Sequence, residues 1–423
     1  MSRKQAIFDW IESRSALISG AKHFLKEEIP ASTGWRNTLG SLLGALLLVQ
    51  ILTGFLLALY YLPHPQAAHA SLEFVNEAVL GGSLVRSLHY QGASFIIVAL
   101  FLHTLRVFYS GAYRAPREGV WLTGLALLGI TVAIAFTGQL LPYNQMGYWA
   151  ASVGIEIASS VPVVGSHIKQ LIQGSDTVGA VTLTQFYALH VMLLPALLGL
   201  ITALHLYLLR KHSPLRPAQD STSDTDTFFP VQFFRDMITV SVGLALLMTV
   251  ALIYGGPHSP PLDLSDDAYI PIPEWYFNAH FEILRMTPPA LYVVATFVLP
   301  SAVGAVLVLL PWLDRGKSTR LSDRKPVIVM GTIGHCRRCR SHHPGRIPQR
   351  VARRSGARRS RIGNRRRSRD RAGTPSVRRR ILCNVSQVGW CRRDERAGTH
   401  AYRQQIAGRL FTGMDYRPRI FPA

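Results

Sequence analysis

The chain has 423 residues, 48% of them hydrophobic, with a mean hydropathy of +0.18 and a net charge of +22. The charge sits at one end: residues 331–423 hold 25 Arg, no Lys and 4 acids, whereas residues 1–330 balance 21 basic side chains against 20 acidic ones. All four cysteines (Cys336, Cys339, Cys383 and Cys391) lie in that tail, which excludes disulfides and thiolate-held iron–sulfur clusters from the first 330 residues.

In chain order, the first segment, Arg3 to Ile29, is too charged for a signal peptide. Its Ile7, Ile11, Leu17, Ile18, Ala21 and Leu25 roughly repeat at helical spacing, so residues 1–33 predict an amphipathic helix on a membrane surface. Apolar runs then fall near 37–62, 92–109, 120–141, 185–209, 237–255 and 291–313. Each suits a hydrocarbon layer of about 30 Å. The expected fold is an all-α polytopic membrane protein: a four-helix bundle over 34–215, then two further spans over 216–330. Lys and Arg gather in the N-terminal stretch, the 106–117 and 210–235 connections and the stretch after 313, whereas 62–84 and 256–284 carry none. By the positive-inside rule the N-terminus is cytoplasmic, in a bacterial cytoplasmic membrane.

Four histidines carry the chemistry. His89 and His103 lie 14 residues apart in one apolar segment, and His190 and His205 lie 15 apart in another. At 100° per residue these steps return a side chain to within about 40–60° of its starting direction, roughly 21–22 Å further along. Two such helices facing each other offer two stacked bis-imidazole sites, at which a low-spin haem iron would move electrons rather than bind oxygen. A single intramembrane histidine is more simply a helix–helix hydrogen bond or a proton relay. Four at matched spacing argue against that. Gly40 and Gly54, and Gly124 and Gly138, repeat the 14-residue step. They suit close helix packing or flat macrocycles pressing on helix backbone at two depths. Arg86, Arg106 and Arg114, near the ends of the first histidine helix, suit haem propionates, although arginines at membrane ends also reach headgroups. Pro273-Glu274-Trp275-Tyr276 lies in a polar connection on the outer side. A carboxylate there could take a proton from a quinol hydroxyl, or be an ordinary acid at a helix N-terminus.

Together these features resemble cytochrome b of the quinol-oxidising bc and bf complexes, from about Trp10 to Gly331. The resemblance rests on Gln50-Ile-Leu-Thr-Gly54, Arg86-Ser-Leu-His89, Gly124 to Gly138 followed by Leu141-Pro142, and Val161-Pro-Val-Val-Gly165-Ser. It rests also on Phe186-Tyr-Ala-Leu-His190, Phe234-Arg-Asp236 and Pro273-Glu-Trp-Tyr276-Phe277. The 15-residue step and Val163-Val164-Gly165-Ser166 resemble the chloroplast-type branch. The resemblance implies that His89 and His190 hold an outer, lower-potential b haem, and His103 and His205 an inner, higher-potential one. Glu274 and Tyr276, with the 143–166 connection, would line the outer quinol site. Arg210 and Asp236 would lie at the inner quinone site. Thr38 stands where that branch has a cysteine attaching a third haem, so two non-covalent haems are expected. The implied partners are a Rieske iron–sulfur protein, a c-type cytochrome or equivalent acceptor, the lipid membrane and a second copy; no nucleic acid is expected.

Other classes remain open on the residues alone: a di-haem anchor of a dehydrogenase or hydrogenase with one quinone site, or a non-redox transporter. The tail also has three readings. Clustered Arg suits RNA or anionic lipid. Cys336-X-X-Cys339 with His342 and His343 suits a metal. Arg without Lys, with Ser, Gly and Pro, suits a GC-rich gene read out of frame from about His335, which would leave 331–423 unfolded.

Overall fold

The computed structural model describes residues 3–314, apart from 16–18, 21–25, 27, 31–32, 213–224, 267–268 and 270–271. The tail readings therefore lie outside the described residues. In chain order the elements are α1 (Arg3–Ser15), β1 (Glu28–Pro30), α2 (Leu39–Ala58), α3 (Ala68–Glu77), α4 (Gly82–Ser110) and α5 (Glu118–Leu140). They continue with α6 (Gln145–Ser159), α7 (Gly165–Gln173), α8 (Ala180–Lys211), β2 (Thr225–Thr227), α9 (Phe228–Tyr254), α10 (Asn278–Met286) and α11 (Pro289–Leu313). Six of these, α2, α4, α5, α8, α9 and α11, are long and apolar enough to cross a membrane. They match the six apolar runs. α4 and α9 begin earlier than their runs because the helix continues through polar residues such as Arg86 and Gln91, or Arg235 and Asp236.

The surface helix differs from its expectation. α1 ends at Ser15, and Glu28–Pro30 is a strand paired antiparallel with Thr225–Thr227. Ile7, Phe8, Trp10 and Ile11 are all exposed. Phe8 follows Ile7 at about 100° round the helix, so the apolar residues spread over a wide sector rather than a stripe. Leu17, Ile18, Ala21 and Leu25 lie outside the described residues.

The spans pack as two pairs, α2 on α4 and α5 on α8, with α9 laid against α2 and α4, and α11 against α5. Three small cores hold them. Leu46, Ile96, Ala99 and Leu247 knit α2, α4 and α9. Tyr113, Trp121 and Leu310 tie the α4–α5 end to α11. Leu140, Ala151, Ile155, Leu183 and Phe186 join α5 to α6 and α8. Elsewhere the spans turn Phe55, Leu200 and Leu252 outward. In water these would be a liability; in hydrocarbon they are the matching solvent face.

α8 is not a uniform helix. Leu189–Leu193 forms a π-helical turn, closed by the Leu194 N–H donating to the Leu189 carbonyl. Pro195 follows. It lacks an N–H and its ring would collide with the carbonyl four residues back, and widening the turn relieves both. A π turn absorbs one extra residue. The 15-residue step from His190 to His205 therefore acts as 14 would in a regular helix, in register with His89 and His103.

Candidate functional site

α4 and α8 bring the four histidines together in pairs. The rings of His89 and His190 lie 6.1 Å apart, centroid to centroid, at 75° to one another. At the other level His103 and His205 are close enough to influence each other electrostatically. Each ring is seated on one of the four glycines. A Cβ placed on Gly138 would lie 2.6 Å from His190 Cε1, and one on Gly54 would lie 3.0 Å from His89 Cε1. The corresponding distances are 3.4 Å from Gly124 to His205 Cε1 and 4.0 Å from Gly40 to His103 Cε1. The immediate neighbour of each glycine is thus a histidine ring.

The hydrogen bonds fix which ring nitrogen carries the proton. Thr53 Oγ1 lies 3.0 Å from His89 Nδ1 and already donates its own proton to the Val49 carbonyl at 2.7 Å. Thr123 Oγ1 lies 2.9 Å from His205 Nδ1 and donates to the Gly119 carbonyl at 2.9 Å. A hydroxyl whose proton is spent on backbone can only accept. His190 Nδ1 lies 2.9 Å from the Ile134 carbonyl, which is an acceptor by nature, and 3.4 Å from Thr137 Oγ1. In all three rings Nδ1 must therefore carry the proton, leaving the Nε2 lone pair free for a metal. Two imidazole–metal bonds of about 2.0 Å, plus the distance from each nitrogen to its ring centre, would put two imidazoles that share one metal about 6 Å apart between centroids. The 6.1 Å between His89 and His190 suits such sharing.

Sequence reasoning missed these threonines. Their signal was the Thr-Gly pair, which occurs at Thr53-Gly54, Thr123-Gly124 and Thr137-Gly138. The fourth glycine, Gly40, follows Leu39 instead.

The cations fall less simply. Arg86 Nη2 donates to the Pro257 carbonyl at 2.7 Å. Arg106 donates to the Asn37 side chain and bears electrostatically on His103. Arg114, expected at a propionate, is instead forked onto Asp314 at 2.8 Å, with Tyr113 donating to the same carboxylate. A two-pronged Arg–carboxylate fork is a strong, directional pair, so Arg114 clips the end of α4 to the end of α11. Arg117, which sequence reasoning passed over, is buried. Burial, and then the nearby Arg106, hold its guanidinium below its usual range.

On the side of His89, the 143–166 and 256–284 connections meet. Asn144 bridges to Pro261, and Gln145 donates to the Asp263 carbonyl. Between α5, α6 and α10 lies a cavity of about 370 Å³, lined by Gln139, Trp149, Pro273, Phe277, His280 and Phe281 among others. Its wall is apolar, as a hydrophobic ring substrate needs. Glu274 and Tyr276, expected to line it, are not among its lining residues, although Pro273 and Phe277 on either side of them are. Tyr276 Oη accepts a long hydrogen bond of 3.5 Å from Gln139 Nε2, and the Tyr90 hydroxyl donates to Glu274 Oε1 at 2.8 Å. Burial lifts the Glu274 carboxyl above its usual range, and the bond from Tyr90 pulls it partly back. Burial and the adjacent Glu274 raise the Tyr276 hydroxyl. His280, also missed, is pushed down by burial.

At the opposite end, Asp236 is buried, with Ser41 donating to Oδ2 at 2.9 Å and Gln232 to Oδ1 at 2.8 Å. Arg210 lies in the last turn of α8. Thr38 is buried beside Thr239, whose hydroxyl donates to it at 2.9 Å.

The comparisons with known proteins follow this geometry. Residues 26–213 match the family Cytochrome b/b6/petB, and residues 268–334 match Cytochrome b(C-terminal)/b6/petD. Cytochrome b of Rickettsia prowazekii is 35% identical over 336 residues, 77% of this chain and 82% of that one. Cytochrome b of Marchantia polymorpha is 34% identical over 316 residues, 72% and 76% of the two chains. Among solved structures, a chain of a hyperthermophilic respiratory Complex III superposes with a TM-score of 0.70 at 26% identity, covering 78% of this chain and 88% of that one. Six apolar spans, the glycine-seated histidines and these matches make the chain a member of the cytochrome b family, a multi-pass, b-type haem-binding membrane protein.

Proposed function

We propose that the chain is the membrane-embedded di-haem cytochrome b subunit of a quinol-oxidising, bc-type complex. The observation that supports it best is the opposed histidines of α4 and α8, each ring seated on a glycine, with Nδ1 of three of the four facing an oxygen acceptor. His89 and His190 hold one b-type haem and His103 and His205 the other. Both are non-covalent, and no third haem is attached through a thioether, since Thr38 offers no thiol. The bound iron supplies one-electron redox chemistry. The residues of the chain do the rest. The threonines and the Ile134 carbonyl orient the imidazoles. Arg86 at one level, and Arg106 and Arg117 at the other, bring positive charge for propionate carboxylates.

The cavity beside Pro273 and Phe277 takes a quinol, and Glu274 accepts a proton from its hydroxyl. The burial that lifts this carboxyl brings it toward the pH at which it must work. Tyr276 orders the same wall through Gln139. At the other end Asp236 and Arg210 hold and protonate a quinone. Quinol oxidation on the outer side and quinone reduction on the inner side carry electrons and protons across the membrane. The membrane is a bacterial cytoplasmic one, and the loop charges support an N-terminus on its inner side. A Rieske iron–sulfur protein, and through it a c-type cytochrome or equivalent acceptor, takes the other electron, and the complex is a dimer.

A reduced-minus-oxidised spectrum tests this reading. Two b-type components are expected. The His103→Leu, His205→Leu double variant should lose about half of the haem while keeping the component at His89/His190. A double variant that keeps both haems sinks the pairing, and a parent chain with no b-type band sinks the function.

A further inference from the structure

The outer half of α4 carries more than a histidine. Arg86, Tyr90 and Ser94 recur every four residues, so they stack along one face. All three grip the chain between α9 and α10. Arg86 Nη2 donates to the Pro257 carbonyl at 2.7 Å, the Tyr90 hydroxyl to Glu274 Oε1 at 2.8 Å, and Trp275 Nε1 donates to Ser94 Oγ at 3.0 Å. Gln91, beside this face, donates to the Gly255 carbonyl at 2.9 Å. The connection that bears the Pro-Glu-Trp-Tyr segment is thus laid along a rail on the helix that holds His89.

We propose that Tyr90 is the positioning residue for Glu274: its hydroxyl holds the carboxyl on the α4 side, behind the cavity wall, next to the residue that ligates the outer haem. This rests on the reading of Glu274 as a proton acceptor and adds the group that decides where that acceptor waits. Three observations carry it. The bond is short and joins residues 184 positions apart. The segment is anchored a second time, one residue on, by Trp275 to Ser94. The cavity lining includes Pro273 and Phe277 on either side, while the Glu274 carboxyl is turned to Tyr90. Among the described residues, the titratable and charged groups around Glu274 are Tyr90 on α4, Arg86 one turn away on the same face, and Tyr276 on its own segment. Of these only Tyr90 is hydrogen-bonded to it. A donor to a carboxylate favours its charged form, so Tyr90 keeps Glu274 competent to accept a proton at lower pH than burial alone would allow.

The test is Tyr90→Phe in the whole complex, alone and with Glu274→Gln. The change removes one hydroxyl and keeps the ring, and the haem spectrum reports whether the site at His89 survives. Loss of a bond to a charged group should move the acid limb of quinol oxidation alkaline by about one pH unit. It should also shift the infrared C=O band that Glu274→Gln abolishes. In the Glu274→Gln background Tyr90→Phe should add nothing to the pH profile. An unshifted infrared band, or effects of the two changes that simply add, overturns the role of Tyr90. Glu274→Gln with parental turnover and pH profile overturns the acceptor reading instead, and the infrared band, read without turnover, still decides whether Tyr90 holds the carboxyl.

Discussion

At the level of His89 and His190, Cβ atoms added to Gly54 and Gly138 would come within 3.0 and 2.6 Å of the imidazoles; at the level of His205 and His103, Gly124 and Gly40 leave 3.4 and 4.0 Å. The first level also fixes both its rings through Nδ1, by Thr53 and by Ile134 with Thr137, whereas at the second only His205 has such a threonine, Thr123. One half of the bundle is therefore close-fitted on both sides and the other on one side. Burial alone does not set this difference. It comes from how near the partner helix lets each ring approach, and from whether a threonine stands before the glycine.

The glycine series should break the comparison most forcefully. Gly138→Ala puts a methyl group inside the contact distance of His190 Cε1, against helix backbone on one side and a ring held at Nδ1 on the other. Overpacking of this kind costs about 1–3 kcal/mol, or roughly a five- to 150-fold weaker hold on the haem proposed there. Gly40→Ala meets His103 at ordinary van der Waals distance and should leave its level filled. Haem-to-protein ratios of the four alanine variants should fall in the order Gly40, Gly124, Gly54, Gly138. Equal losses from Gly40→Ala and Gly138→Ala would mean that the glycines serve general helix packing.

The spans, the two histidine pairs and the glycine step were legible in the sequence because each is a local regularity. Apolar length marks a span, and a fixed step marks a helix face. What escaped depends on partners brought together only by the fold. Tyr90 meets Glu274, and Arg114 meets Asp314, across 184 and 200 residues. No period in the sequence announces such contacts. The steps of 14 and 15 are unequal in the sequence, and only the π turn at Leu189–Leu193 accounts for the extra residue. The threonines fall between these cases. The Thr-Gly pair is visible in the sequence, but its meaning depends on the hydroxyl being spent on a carbonyl four residues back while a ring approaches from another helix.

The threonine at the less tightly fitted level sharpens the comparison by a smaller effect. Thr123→Val removes an acceptor from His205 Nδ1–H and so makes the imidazole a weaker electron donor to bound iron. A neutral hydrogen bond is worth about 1 kcal/mol, which for a one-electron couple is at most about 40 mV. A redox titration should find the component at His103/His205 raised by a few tens of millivolts and the other unchanged. Thr123→Ser, which keeps the hydroxyl, should restore the parental value. A shift of both components, or no rescue by Ser, would mean that the substitution acts through packing.

The smallest effect is expected from the largest change. The C-terminal family match reaches residue 334, and the composition breaks at His335, where Arg-rich sequence without Lys begins. If that sequence is an out-of-frame reading, no part of the haem-binding bundle depends on it. A chain ending at Gly334 should then give the same haem content and the same reduced-minus-oxidised spectrum as the full chain. Re-reading the gene across codon 334 should show that a one- or two-base change replaces the Arg-rich run by about 20 apolar residues, the length of one further span. The same truncation should also leave the thermal transition of the bundle where it was. Loss of haem, or a lowered transition, on removing residues 335–423 would show instead that the arginines are a working part of the protein.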